Sequence, residues 1–216
     1  MKMKNKIFIA LFTILIISQS CNIIIDKDVT DEISSVSIKP IVELIGEPII
    51  SMPVGGKYTE LGVNAFSGDD PLDYSIISGN VNPNNKGFYI VTYKAENMYG
   101  WATYAYRSVL VYSGSPYSED ISGHYKSGFL FNSDISEYPV SGYWQMTNVW
   151  IEEGVTFPIL FADKGNGQYG IVPGEFGSKG RYGGTARKNG NNITFTIKLT
   201  SPNGIVNTKT FIWTKQ

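Results

Sequence analysis

GFYIVTYKA (Gly87 to Ala95) alternates in a way that only a β-strand satisfies. A period of two puts Tyr89, Val91, Tyr93 and Ala95 on one face and Phe88, Ile90, Thr92 and Lys94 on the other. Thr92 and Lys94 mark the second face as the wetter one. The same chemistry spreads outward from this stretch. From Ser37 onward the chain is rich in Val, Ile, Tyr, Phe and Thr, and no segment holds a helical period. Short β-type runs (IKPIVEL, PIISMPV, GVNAF, LDYSIIS, WATYAYRSVLVY) recur about every ten residues, the spacing of a sandwich or barrel. Gly55-Gly56, Gly68-Asp69-Asp70-Pro71 and Asn82-Pro83-Asn84-Asn85 separate them as turns.

SGSPYSED (Ser113 to Asp120) has small residues, a proline and no periodicity, so it reads as a linker. Beyond it, residues 121–216 form a second β region. Asn166-Gly167, Asn189-Gly190 and Asn203-Gly204 each sit between β-type runs, and Asn-Gly favours tight hairpins. In NITFTIKLT (Asn192 to Thr200), Ile193, Phe195, Ile197 and Leu199 face one way and the threonines and Lys198 the other. These signals predict an antiparallel meander of seven or eight strands, closed as a barrel or layered as a sandwich. PGEFGSKGRYGGTARK (Pro173 to Lys188) lacks a clear strand pattern and reads as a surface loop, with ligand contact at one end of the scaffold as the alternative.

VGGKYTELGVNAF (Val54 to Phe66), GFYIVTYKAENMYG (Gly87 to Gly100) and RSVLVY (Arg107 to Tyr112) together resemble the bacterial immunoglobulin-like surface domain. Tyr58, Thr59 and Glu60 occupy its Tyr-Thr-acidic positions, Tyr89, Val91, Tyr93 and Ala95 its alternating strand, and Arg107, Val109 and Val111 its closing strand. Gly68-Asp69-Asp70-Pro71 replaces the family's usual Asp-Gly. The resemblance covers residues 38–112 and implies a seven-stranded sandwich used as a spacer or adhesion module without catalysis. The region behind it is similar in layout to the uncharacterised β domain that follows such modules in lipoproteins of glycan-utilisation loci. The fold expected is therefore all-β: an Ig-like β-sandwich at residues 38–112, a linker at 113–120 and a second antiparallel β meander at 121–216.

The amino terminus carries Lys2, Lys4 and Lys6, an apolar run from Ile7 to Ile17, then Ser18, Gln19 and Ser20 before Cys21. That is the layout of a cleaved secretory signal over residues 1–20. Eleven residues span about 16 Å as a helix, too short for a hydrocarbon core of about 30 Å. Cys21 is the only cysteine, and its place resembles the lipobox of bacterial lipoproteins, although Ser18 stands where that motif usually has Leu. The resemblance implies lipid attachment at Cys21, a tether over residues 21–37, and an exported outer-membrane lipoprotein at the cell surface, held to the membrane by its lipid. A lone thiol in an exported chain has no internal disulfide partner, which fits this use. Loss of the three lysines leaves 15 basic and 19 acidic side chains, a formal charge of −4. With no basic stripe, nucleic acid is not an expected partner.

Catalytic groups are scarce. GNGQYG (Gly165 to Gly170) matches G-x-G-x-x-G, but IVPGEF follows where a dinucleotide site needs a helix, so a hairpin is expected. His124 is the only histidine, and no Gly-x-Ser-x-Gly elbow accompanies it. Asp69, Asp70 and Asp73 lack a calcium-loop spacing and read as solvated turn residues. No metal or cofactor is expected. Glu152, Glu153, Asp163 and Glu175 are candidates for a hydrolytic carboxylate pair, whose separation in space decides the matter.

Aromatic residues are plentiful: 4 Trp, 14 Tyr and 11 Phe. Trp144, Met146 and Trp150 share one strand face by parity, as do Phe211 and Trp213, and both sets read as core. Trp101 follows the turn Asn97 to Gly100, Tyr143 lies opposite Trp144, and Tyr182 with Arg181 lies in the Gly-rich segment. These four are the candidate ligand-binding residues. The leading expectation is a lipid-anchored, non-catalytic surface protein presenting a β domain to a glycan or an outer-membrane protein. A small carboxylate-dependent hydrolase and a structural subunit of an outer-membrane complex are the alternatives.

Overall fold

The computed structural model describes residues 39–152 and 154–216. The expected signal peptide, Cys21, the tether and Glu153 lie outside them. The described residues are nearly all strand and turn. Seven strands build the first module: β1 (Ile41–Leu44), β2 (Ile49–Pro53), β3 (Val63–Ser67), β4 (Asp70–Pro71), β5 (Tyr74–Ser78), β6 (Gly87–Glu96) and β7 (Ala102–Tyr112). They form a three-stranded sheet β1-β3-β4 and a four-stranded sheet β2-β7-β6-β5. β2 runs parallel to β7, and the other pairs are antiparallel. This is the expected Ig-like sandwich.

Val91, Tyr93 and Ala95 are buried, Val91 and Tyr93 packing with Val63 and Ala105 between the sheets. Full burial of one such aliphatic side chain is worth about 1.5–3 kcal/mol. The sandwich also holds a charge. Arg107 is fully buried and donates from Nε to Glu60 Oε1 at 2.8 Å and from Nη2 to the Ile45 carbonyl at 2.8 Å. Its Nη1 donates to the Glu47 carbonyl, and the Tyr58 hydroxyl donates to Glu60. Arg107, Glu60 and Tyr58 all belong to the resembling motifs, and in the fold they meet as one network.

The second module is a closed eight-stranded barrel of consecutive antiparallel neighbours. Its strands are β8 (Gly123–Ser127), β9 (Phe131–Glu137), β10 (Tyr143–Met146), β11 (Ile159–Gly165), β12 (Gln168–Glu175), β13 (Arg181–Asn189), β14 (Asn192–Thr200) and β15 (Val206–Lys215). β15 closes onto β8 through Thr214↔Lys126 and Lys215↔Tyr125. Side chains fill the interior, as an eight-stranded barrel requires. Tyr125, Trp144, Met146, Phe161, Tyr169, Ile193, Phe195 and Trp213 are all buried there. One end is plugged by Trp150, Phe157, Phe176, Tyr182 and Phe211, with Phe157 stacked on Phe176 at 4.2 Å.

Several local expectations change. Trp150 is core, but it lies beyond β10, in the 147–158 connection that folds over the barrel end. Asn148 ties that connection: its Oδ1 accepts from the Trp150 and Phe157 amides at 3.0 and 2.9 Å. Asn166-Gly167 is a tight hairpin with φ of 56° and 64°, as Asn-Gly favours. The second turn is shifted by one residue, because Asn189 pairs with Asn192 and Gly190-Asn191 make the loop. Asn203-Gly204 sits in a longer connection between Thr200 and Val206. The segment Pro173 to Lys188 is chiefly strands β12 and β13 joined by a single 3₁₀ turn, Gly177–Lys179, and is not a long loop.

The sandwich and the barrel are docked side by side. Phe88, Ile49 and Leu110 from the sandwich pack with Tyr143, Ala162 and Val172 from the barrel. The face carrying Phe88, Ile90, Thr92 and Lys94 is the wetter of the two, as expected, yet it is largely covered: Phe88, Ile90 and Lys94 are half-buried and Thr92 is buried. Gly170 permits the approach, since a Cβ there would lie 2.2 Å from the Phe88 ring. The Ser113 to Asp120 connection is also pinned. Tyr117 packs on Trp144 at 4.9 Å, and Ser118 donates from its amide to Asp163 Oδ2 at 2.7 Å and from its hydroxyl to the same carboxylate.

Candidate ligand-binding cleft

The β6–β7 hairpin ends in a turn organised by Asn97. Its buried side-chain oxygen accepts the amides of Tyr99 at 3.1 Å and Trp101 at 3.0 Å. The Asn97 amide donates to the Trp101 carbonyl at 3.0 Å. Gly100 takes φ 79°, a conformation that glycine adopts without strain. These bonds fix the backbone of Trp101 while 54% of the residue remains exposed.

Across from it lies the end of the barrel where β12 runs into β13. Glu175 and Arg181 are register partners there. Gly180, at φ 105°, sits so close to Thr200 that a Cβ would fall 2.2 Å from its carbonyl oxygen, so only glycine fits the bend. The Arg181 guanidinium carbon lies 3.7 Å from the centre of the Tyr104 ring, stacking a barrel cation on a sandwich aromatic. Burial pushes the neighbouring Tyr106 phenol above its ordinary range, and a hydrogen bond from Arg181, then its positive charge, work against that rise.

Between these walls is a cleft of about 380 Å³ that includes Trp101, Tyr104, Arg181, Glu175 and Lys39 in its lining. Lys39 Nζ stands 3.8 Å from Glu175 Oε1, and both side chains are well exposed, so this pair adds little stability. Among the described residues, none of the ion pairs includes Arg181.

Two of the four candidate residues, Trp101 and Arg181, thus line one cleft. The other two do not. Tyr143 is fully buried where sandwich meets barrel, its hydroxyl donating to the Ile50 and Ser108 carbonyls at 3.1 and 3.2 Å. Burial holds its phenol far above the ordinary range. Parity with Trp144 correctly turned it outward, but outward here is the other module. Tyr182 points into the barrel plug, 4.7 Å from Phe157, and touches a separate depression of about 350 Å³ beside Met146 and Pro158.

Among the described residues, the candidate carboxylates Glu152, Asp163 and Glu175 each have their own partners. Asp163 clamps the inter-module connection at one barrel end, also accepting the Gly165 amide at 2.7 Å. Glu175 lies at the opposite end of the strand ladder. Glu152 accepts from the Trp150 indole at 2.9 Å. His124 sits on β8 and pairs across the hairpin with Asp134, Nδ1 to Oδ1 2.9 Å, at the surface. Among the described residues no group of three or more His, Cys, Asp or Glu side chains is placed to hold a metal.

Tyr104 and Lys39 were not expected as cleft residues, and Glu175 was expected only as one of a hydrolytic carboxylate pair. A signal for Tyr104 exists in WATYAYRSVLVY. Ala105, Arg107, Val109 and Val111 are the sandwich core, yet the alternate positions are Tyr104, Tyr106, Ser108 and Leu110. A strand apolar on both faces is covered on both faces.

Fold and cleft together define an all-β protein in which an Ig-like sandwich is docked on a closed barrel. Residues 42–111 match the family described as "Bacterial surface protein, Ig-like domain", so the first module is a bacterial surface Ig-like domain. Comparison with curated proteins gave no match. Among solved structures, the chain is similar to the lipoprotein BT2262 from Bacteroides thetaiotaomicron, at 18% identity and TM-score 0.37, covering 82% of this chain and 100% of that one. It is also similar to the M60 catalytic domain with the CBM51-1 and CBM51-2 domains of ZmpB from Clostridium perfringens. There the identity is 16% and the TM-score 0.30, over 74% of this chain and 15% of that one.

Proposed function

We propose that this chain is a non-catalytic cell-surface protein, exported and held at the outer membrane by lipid on Cys21, that binds a glycan in the cleft between sandwich and barrel. The observation that carries the reading is the half-exposed Trp101, whose backbone is fixed and which shares a cleft with Arg181 and Glu175. A sugar presents an apolar face to an aromatic ring and hydroxyls to charged groups, and this lining offers both. The docked modules suit this role, because a cleft shared by two modules keeps its shape only if they move as one body. A glycan array probed with the full chain and with Trp101→Ala tests the reading. It expects glycan signals that the variant loses, and signals identical for both proteins reject it. Palmitate labelling of wild type against Cys21→Ala tests the anchoring, and equal labelling rejects it.

One observation favours a second reading, a subunit of an outer-membrane assembly. Phe129 and Leu130, at the tip of the β8–β9 hairpin, are almost fully exposed. That reading expects Phe129→Ser with Leu130→Ser to leave glycan binding intact and to release a membrane partner.

A further inference from the structure

We infer that the cleft selects a saccharide bearing carboxylates, a uronic-acid chain in preference to a neutral one. The inference rests on the glycan reading and adds the charge of the ligand. The lining contains two cations, Lys39 and Arg181, against one carboxylate, Glu175, which Lys39 already faces at 3.8 Å. Arg181 is half-buried, stacked on Tyr104 and without an ion pair among those of the described residues. The cleft is thus locally positive on a chain whose formal charge is −1.

The Arg181 guanidinium lies over the Tyr104 ring and gives one hydrogen bond to Tyr106, which leaves a donor edge for a further partner. Two oxygens of a carboxylate match that edge, whereas a hydroxyl satisfies one donor and leaves the charge uncompensated. Lys39, well exposed in the lining, adds a second charge. Trp101 and Tyr104 come from the sandwich and Arg181 from the barrel, so ring stacking and carboxylate pairing fall to different modules. At about 380 Å³ the space is near the lower end of ligand pockets, enough for a short stretch of chain.

Titration calorimetry of the full chain against galacturonate, mannuronate and glucuronate oligosaccharides, each beside its carboxyl-reduced counterpart, tests this. At least one acidic ligand is expected to bind about tenfold tighter than its reduced form, with the difference shrinking at high salt. Arg181→Gln is expected to erase the difference, Arg181→Lys to erase most of it, and the exposed Lys39→Gln to reduce it about twofold to threefold. Thermal unfolding of each variant separates loss of the site from loss of the fold, and Lys39→Gln serves if Arg181→Gln unfolds. Equal affinity for acidic and reduced ligands overturns the inference and leaves the glycan reading standing. Binding of neutral but not acidic saccharides does the same. No binding by any saccharide overturns both.

Discussion

The guanidinium of Arg181, on the barrel, lies 3.7 Å from the ring centre of Tyr104, on the Ig-like sandwich. This contact spans the two modules and forms part of the wall of the cleft that both share. Its worth is about 0.5–2 kcal/mol for a partly desolvated pair. A double-mutant cycle of Arg181→Ala and Tyr104→Ala is expected to return a coupling energy in that range, measured by urea unfolding. Additive losses would show that the two side chains are only neighbours.

Tyr143 and Gly170 make the case for one rigid body. Tyr143→Phe removes a buried donor from the Ile50 and Ser108 carbonyls and is expected to cost about 1 kcal/mol. Tyr143→Ala also opens a cavity in the interface and is expected to cost about 3–5 kcal/mol. Gly170→Val drives side-chain atoms into the Phe88 ring and is expected to cost about 1–3 kcal/mol. Wild type is expected to unfold in one cooperative transition, and a scanning calorimetry trace with two well-separated transitions would contradict the docking.

Glu60 sets the acid limit of the sandwich. Burial alone would raise its pKa, but hydrogen bonds from Tyr58 and the Gly62 amide, with the nearby Tyr93 hydroxyl and the Arg107 charge, bring it below the ordinary value of 4.5. A depressed folded pKa means that the stabilisation is complete above the unfolded value and is lost as pH falls below 4.5 through the folded one. Glu60→Gln leaves the buried Arg107 without its counter-charge and is expected to cost about 2–3 kcal/mol at neutral pH, less than for a fully buried pair. Its unfolding midpoint is expected to fall less than that of wild type between about pH 5 and about pH 3. Parallel acid limbs for the two proteins would reject this assignment.

Period-two alternation read the sandwich core well, because Val91, Tyr93 and Ala95 are set by contacts within their own module. It failed where the other module supplies the environment. Thr92 looked wet and Tyr143 looked exposed, because alternation separates two faces without saying what covers each. Trp101 was legible from the turn before it, since Asn97 and Gly100 fix a hairpin end by local hydrogen bonds. Tyr182 was misread because its glycine neighbours resemble loop chemistry. Gly184, however, sits where a Cβ would lie 2.1 Å from the Thr196 carbonyl oxygen, a strand position that needs glycine for close approach. The cleft itself needed the docking of Tyr104 on Arg181, a contact between the two modules that no local pattern encodes.

The β8–β9 tip contributes nothing to the barrel core. Phe129→Ser with Leu130→Ser is expected to change unfolding free energy by no more than about 0.5 kcal/mol. A larger loss in urea unfolding would mean that the tip packs against the chain.

The chain has four tryptophans, and Trp144, Trp150 and Trp213 are buried in the barrel while Trp101 stands at the cleft. Nitrogen–proton correlation spectra therefore carry four indole signals that report the site directly. On titration with a saccharide that binds, the Trp101 indole is expected to shift and saturate, with the three barrel indoles nearly still. A still Trp101 signal at saturation, or shifts confined to the barrel tryptophans, would contradict the cleft as the binding site.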